Sequence, residues 1–185
     1  MKRGKIILLG VWVVAIIAML VFLIQNPEML KPQNIKDFLE SFNAELWMLF
    51  ILANIIRGFF LFPNSPLLIA GAFIFPNQLW EVFWVSMAGV MFTAIVMYYF
   101  AEYLGVGKYL EEKHPKQILK WEERLQRPEA VFIVLLWVML PFTPTDLVYY
   151  VAGSIRMKLR HLLLGVFVGE VILKGSYLLF LDSQF

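Results

Sequence analysis

The sequence predicts an all-α integral membrane protein with three full transmembrane helices and two oppositely oriented re-entrant helical hairpins. Of the 185 residues, 61% are hydrophobic and 16% are charged, whereas soluble domains have roughly 45–50% apolar and about 25% charged residues. The mean hydropathy of +0.73 exceeds what one water-facing core could hide, so a bilayer is the natural solvent for the excess. Three long apolar runs and two apolar stretches broken by paired prolines give the helix and hairpin pattern.

The residue types that are missing narrow the function classes. The chain has no cysteine and only two histidines, so disulfides, thiolate chemistry and cysteine-based metal sites are excluded, and a histidine-rich metal cage is disfavoured. The sequence also lacks a nucleophile–base pattern, a glycine-rich phosphate loop and a basic stripe for nucleic acid. We therefore expect no enzyme activity, no metal, no cofactor and no nucleic-acid partner.

Residues 1–45 predict one transmembrane helix followed by an interfacial segment. The uncharged run Ile6–Ile24 has 19 residues and would extend roughly 28 Å, close to the hydrocarbon thickness of a bilayer. A cleaved signal peptide would have a shorter apolar region and a small-residue cleavage site. After this run, apolar residues recur at the spacing of a helix that lies on the membrane surface: Ile35, Phe38, Leu39 and Phe42.

Two later stretches each consist of two short apolar arms joined by a Pro-x-x-Pro motif. In the first, Pro63–Pro66 separates Leu46–Phe62 from Leu67–Phe75. In the second, Pro141–Pro144 separates arms of 12 and 11 residues within residues 129–155. Proline lacks an amide donor and restricts the preceding residue to extended conformations, so each motif predicts a turn that breaks the helix into two arms. Each stretch therefore predicts a re-entrant hairpin, which is tolerated only inside protein or beside a wet cavity.

One full-length helix follows each hairpin, namely Val82–Leu104 and Leu162–Leu181. Hairpin and helix thus form a repeat that occurs twice, over residues 46–104 and 129–185. Between them, residues 105–128 alternate basic and acidic side chains and predict an amphipathic cytoplasmic connector.

The basic residues predict the orientation of these segments. With a cytoplasmic N-terminus, twelve of the 16 Lys and Arg lie inside, which satisfies the positive-inside rule. The two repeats then enter the membrane from opposite faces and form an inverted pair. Many secondary transporters place their substrate sites where such broken helices meet.

Two ionisable residues of the hairpins are candidate site residues, because charges inside a membrane need a partner or a purpose. Arg57 lies near mid-bilayer and could hold a phosphate through its bidentate guanidinium fork. It could equally clamp backbone carbonyls at the Pro63 break or pair with Asp146. Asp146 follows the second motif and could cap the returning half-helix, act as a coupling acid or pair with Arg57.

Further polar residues lie at the tips and on the last helix. Asn64, Ser65 and Thr143 could contact a polar ligand or satisfy tip amides. Glu170 and Lys174 are spaced i, i+4 in the favourable order, so they form a self-neutralising pair or line a cavity between the hairpins. Small residues at four-residue spacing favour close helix packing: Gly89 and Thr93, and Gly165 and Gly169.

The hairpin tips resemble those of the DedA superfamily, also called VTT-domain proteins, in its SNARE-associated Golgi protein branch. The first matching stretch is Phe62–Phe75, FPNSPLLIAGAFIF, and the second is Leu140–Asp146, LPFTPTD, continuing through Ala152 and Gly153. The tip residues that carry the resemblance are Pro63, Pro66, Gly71, Pro141, Pro144 and Gly153. The resemblance implies two opposed re-entrant hairpins and translocation of lipids such as undecaprenyl phosphate or phosphatidylethanolamine.

These observations together predict a membrane lipid translocator, a flippase or scramblase, with a phospholipid or lipid-linked phosphate as its partner. Proton coupling and assembly into a homo-oligomer are both compatible with this interpretation. An ion-coupled transporter of a small solute and a non-transporting membrane organiser are the alternatives. The expected location is a bacterial or archaeal plasma membrane, with the N-terminus in the cytoplasm.

Overall fold

A computed structural model describes residues 3–42, 44–105, 107, 111–112, 121–140 and 145–182. The helices that build the fold are α1 (Arg3–Gln25), α2 (Pro32–Glu40), α3 (Leu46–Ile56), α4 (Asn64–Ile74), α5 (Leu79–Leu104), α6 (Ala130–Met139), α7 (Thr145–Ser154) and α8 (Leu159–Asp182). Short 3₁₀ turns cover Pro27–Leu30 and Arg57–Phe60. Within these described ranges no strand is present. The expected all-α class is confirmed.

Three of these helices are long and apolar enough to cross a membrane: Arg3–Gln25, Leu79–Leu104 and Leu159–Phe180. They coincide with the three apolar runs of the sequence, so the expected number of full-length helices is confirmed. The remaining apolar helices, α3, α4, α6 and α7, have 10 or 11 residues each and extend only about 15–17 Å.

The first chain break, residues 57–63 between α3 and α4, differs from the predicted turn. α3 ends at Ile56, the 3₁₀ turn follows, and Leu61 has a left-handed backbone with φ of 56°. Asn64, Ser65 and Pro66 already belong to the first turn of α4, so the prediction that they form a turn is wrong. Proline is tolerated there, because an amide in the first helical turn has no intrahelical partner to lose.

The second break lies between Met139, the end of α6, and Thr145, the start of α7. The predicted tip Pro141–Pro144, which includes Thr143, lies outside the described residues, as do 106, 108–110 and 113–120 of the connector. The predicted amphipathic cytoplasmic connector therefore stays a prediction.

The contacts of small residues show the relative direction of α3 and α5. A Cβ added to Gly89 of α5 would lie 2.8 Å from Cβ of Asn54 in α3, and one turn later Gly58 meets Thr93 of α5. Both contacts advance by four residues, so α3 and α5 run parallel. The expected close packing at Gly89 and Thr93 is confirmed.

The second half of the chain repeats this arrangement. A Cβ added to Gly165 of α8 would lie 2.7 Å from Val134 of α6, and one added to Gly169 would lie 2.9 Å from Val138. These contacts also advance by four residues, so α6 and α8 run parallel. The expected packing role of both glycines is confirmed.

The two tip glycines are helix contacts rather than loop residues. An added Cβ on Gly71 of α4 would lie 2.5 Å from the ring of Phe50, and one on Gly153 of α7 would collide with the backbone of Tyr98 in α5. The connection between α7 and α8 is also fixed to α5, because the Tyr98 hydroxyl donates to the Met157 carbonyl over 2.6 Å.

Helix α1 lies against the rest of the bundle with most of its surface exposed. The Trp12 indole nitrogen donates to the Phe59 carbonyl over 2.9 Å, and the Lys5 ammonium donates to the Tyr103 carbonyl. These two contacts place α1 beside α5 and across the first chain break.

Candidate functional site

The first break and the start of α7 are joined by a buried ion pair. Arg57 Nη1 lies 3.2 Å from Asp146 Oδ2, and each side chain is 2% exposed. The same nitrogen donates to the Phe62 carbonyl over 3.3 Å. Arg57 therefore both clamps the backbone at the break and pairs with Asp146, which are the two structural roles that the sequence offered.

A second buried pair lies on α8. Lys174 Nζ is 3.6 Å from Glu170 Oε2, and each side chain is 1% exposed. Asn64 of α4 donates from Nδ2 to the same Glu170 oxygen over 3.1 Å. The expected i, i+4 pair is present, and the amide of Asn64 ties it to the first break.

We name Arg57, Asp146, Glu170 and Lys174 the charge cluster. Its formal charges cancel, which reduces the cost of burying each one. Hydrogen bonding is incomplete, however: among the described residues, Arg57 Nε and Nη2, Asp146 Oδ1, Glu170 Oε1 and Lys174 Nζ have no hydrogen-bond partner, although Lys174 Nζ keeps its 3.6 Å ion pair with Glu170. Buried polar groups are normally satisfied, so each exception needs an explanation.

A cavity of about 320 Å³ lies beside the charge cluster, and we name it the polar cavity. Its walls come from α1 and the 3₁₀ turn after it, the first break, the start of α4, the end of α6, the start of α7, and α8. The lining residues are Leu20, Leu23, Ile24, Leu30, Leu61, Pro63, Asn64, Ser65, Val138, Leu140, Thr145, Asp146, Glu170 and Leu173. The volume falls within the range of ligand pockets, roughly 300–1,000 Å³.

The carboxylates of the charge cluster lie in the wall of the polar cavity, and its cations do not. Asp146 and Glu170 line the polar cavity, whereas Arg57 and Lys174 are absent from its wall and pair with those carboxylates. A ligand in the cavity therefore meets carboxylates first, with a guanidinium and an ammonium directly behind them. Carboxylates accept hydrogen bonds from an amine, and the two cations behind them reduce the repulsion that a phosphate would meet.

Most of the polar candidates from the sequence lie together here. Asn64, Ser65, Asp146 and Glu170 line the polar cavity, and Arg57 and Lys174 pair with its carboxylates. Gly71 and Gly153 do not lie there and pack helices instead. Thr143 lies outside the described residues. Within the described part of the chain, no group of His, Asp and Glu could hold a metal ion.

Sequence reasoning missed one contributor to the site, the wall of the polar cavity formed by Leu20, Leu23 and Ile24 of α1. No sequence signal marked this wall, because the run Ile6–Ile24 is uniformly apolar or uncharged.

Comparison with known proteins places most of this architecture in one family. A family model described as VTT domain matches residues 62–183, which contain α4 to α8, whereas α1 to α3 and Arg57 precede the matched region. No curated protein and no solved structure matches the chain. VTT-domain proteins are membrane-associated, in agreement with the three helices that are long and apolar enough to span a bilayer. The chain belongs to the VTT-domain family, the family of the DedA and SNARE-associated Golgi proteins.

Proposed function

We propose that this protein is a membrane lipid translocator of the flippase or scramblase type. In this proposal the polar cavity receives the head group of a phospholipid or lipid-linked phosphate while the hydrocarbon chains stay in the bilayer. The observation that carries the proposal is the charge cluster, which lies beside a cavity in a helical bundle whose buried residues are mostly apolar. A polar groove of this kind lowers the cost of moving a head group through hydrocarbon.

The free energy needed to place the charge cluster inside a membrane argues for a function. An ionisable residue near the centre of a membrane costs about 2.5–3.5 kcal/mol on insertion scales and is rare without a role. Pairing offsets part of this cost, but the hydrogen-bonding groups that remain unpaired in the cluster do not contribute to stability. An amine of a head group in the polar cavity would donate to Asp146 Oδ1 and Glu170 Oε1, the two unpaired atoms of the cluster whose residues line that cavity.

We also propose that α3–α4 and α6–α7 are the two re-entrant hairpins of an inverted repeat. Their helices extend about half a bilayer each. The parallel packing of α3 with α5 and of α6 with α8 supports this, since a hairpin must reverse direction between two parallel helices. The basic residues support a cytoplasmic N-terminus, and a bacterial or archaeal plasma membrane is the proposed location.

A second candidate is an ion-coupled transporter of a small solute. It is favoured by one observation, namely that the ionisable groups in the cavity wall are the carboxylates of Asp146 and Glu170. Such a wall suits a small amine or a proton as well as a lipid amine.

Reconstitution separates the two candidates. Purified protein in liposomes should move fluorescent phospholipids between leaflets, and the assay is repeated with and without a proton gradient and with anionic and zwitterionic lipids. The lipid proposal is contradicted if lipid movement equals that of protein-free vesicles, and the solute candidate gains support if those same vesicles accumulate a water-soluble amine along the gradient.

A further inference from the structure

A second cavity, of about 480 Å³, lies on the other side of Arg57, and we name it the apolar chamber. Its walls come from α1, α2, α3 and the first chain break. Representative lining residues are Met19 and Phe22 of α1, Ile35 and Phe38 of α2, and Leu49 and Ala53 of α3. Most of its lining residues precede the matched VTT region, and only Phe62 and Leu67 of the described lining lie inside it.

Arg57 is the one polar residue among the described residues that line the chamber. Its Nη1 is used by Asp146 and Phe62, whereas Nε and Nη2 are buried without a hydrogen-bond partner among the described residues. These two nitrogens form one edge of the guanidinium fork, the geometry that binds the oxygens of a phosphate bidentately. Two unpaired donors on one edge are the arrangement that binds an anionic group.

The rim of the chamber is apolar and open. Phe22 of α1, Phe38 of α2 and Leu52 of α3 line it while remaining about half exposed. In a bilayer such side chains contact hydrocarbon, so the chamber opens to lipid rather than to water. Its occupant must therefore be apolar along most of its length.

The chamber and the polar cavity are neighbours. Leu23 of α1 lines both, Arg57 lines the chamber, and its partner Asp146 lines the polar cavity. The Arg57–Asp146 pair therefore stands between an apolar space and a polar one. A lipid has the same division between chain and head group.

From these observations we infer that the apolar chamber binds one hydrocarbon chain of a phosphate-bearing lipid, with the lipid phosphate on Nε and Nη2 of Arg57. The choice of a membrane lipid as the occupant rests on the proposed function, but binding does not require translocation. The chamber would hold the lipid before its head group enters the polar cavity.

Photo-cross-linking tests the inference with the purified full chain in detergent. The probe is a lysophosphatidic acid whose acyl chain carries a diazirine, and its uncharged monoacylglycerol counterpart is the comparison. Adducts mapped by mass spectrometry should fall on α1, α2 and α3 around the chamber. The phosphate probe should label roughly tenfold more strongly than the uncharged one, and Arg57→Gln should remove this preference.

Two variants of α3 make the test specific. Ala53→Phe fills the chamber and should abolish its labelling, whereas Ile51→Phe adds the same ring to an exposed position that does not line it and should label normally. Unchanged labelling in Ala53→Phe overturns the inference. If Ala53→Phe does not fold, equal labelling of the native chain by the two probes overturns it instead.

The same preparations distinguish this inference from the proposed function. If the chamber is labelled but no lipid moves in liposomes, the translocator proposal is wrong and the chamber proposal is supported. Lipid movement with labelling spread evenly over all lipid-facing helices means that the chamber proposal fails and the translocator proposal stands.

Discussion

Arg57 and Asp146 form a buried ion pair, with 3.2 Å between Nη1 and Oδ2, although they are 89 positions apart in the sequence. The pair joins the first chain break to the first turn of α7. It also stands between the polar cavity and the apolar chamber, so it links the two halves of the fold at the place where a lipid would bind.

Removing one partner of this pair should destabilise the protein strongly. Arg57→Met or Asp146→Leu leaves an uncompensated buried charge, which costs about 3–5 kcal/mol. The double variant Arg57→Met with Asp146→Leu should unfold close to the wild-type temperature in detergent, because apolar side chains replace the buried pair at little net cost. Thermal unfolding of all four proteins measures this, and a double variant as unstable as the sum of its singles would contradict it.

The Glu170–Lys174 pair should matter far more than a surface pair of the same residue types. Glu170→Gln strands the buried Lys174 charge and should lower the unfolding temperature and lipid movement together. Glu40→Gln breaks the Lys36–Glu40 pair, which has the same i, i+4 spacing but is 27% and 44% exposed and contributes only about 0–1 kcal/mol. Equal effects of the two substitutions would show that burial does not set the strength of the Glu170 pair.

Asn64 should contribute more than its neighbour Ser65. Asn64→Ala removes the 3.1 Å hydrogen bond to Glu170 and should cost about 1–3 kcal/mol, because it leaves a buried charged acceptor short of a donor. Ser65 lines the same cavity but makes no hydrogen bond to the charge cluster among the described residues, so Ser65→Ala should change the unfolding free energy little. Denaturation of both variants checks the difference, and a larger loss in Ser65→Ala would contradict the assignment.

Close packing of α6 against α8 should depend on Gly165. Gly165→Ala places a Cβ 2.7 Å from Val134 and 2.8 Å from the Val131 carbonyl, so the helices must separate at a cost of about 1–3 kcal/mol. Gly175 of the same helix has nothing within 4 Å of an added Cβ. Gly175→Ala should therefore be neutral or slightly stabilising, since alanine favours the helix. The unfolding temperatures of the two variants report this, and equal losses would refute the packing argument.

The sequence was sufficient to predict the helices and most of the polar candidates, because both depend on local patterns. Segment lengths follow from apolar runs, and ionisable residues inside them stand out. It did not predict that α4 would begin at Asn64, since proline is equally compatible with a turn and with a first helical turn. The Asn64–Glu170 contact was also missed, because pairing across 106 positions is decided by packing, and the Arg57–Asp146 pair was only one of several options.

The hairpin topology has its own test, and the absence of cysteine means that single-cysteine variants need no altered background. If α3–α4 enters and leaves the membrane on one side, Lys31→Cys and Asn77→Cys should react with a membrane-impermeant reagent from outside. Glu123→Cys and Lys158→Cys, which flank the second pair, should react only from inside. Labelling of Lys31→Cys and Asn77→Cys from opposite sides would mean that the first pair crosses the membrane.

Transbilayer movement of a fluorescent phospholipid in proteoliposomes tests the central claim most directly. The wild-type protein should expose the inner-leaflet lipid to an external quencher. The stable double variant Arg57→Met with Asp146→Leu should leave that lipid protected, as in protein-free vesicles. Equal lipid movement in the wild type and the double variant, or none in the wild type, would contradict a lipid translocator that works through the buried charge cluster.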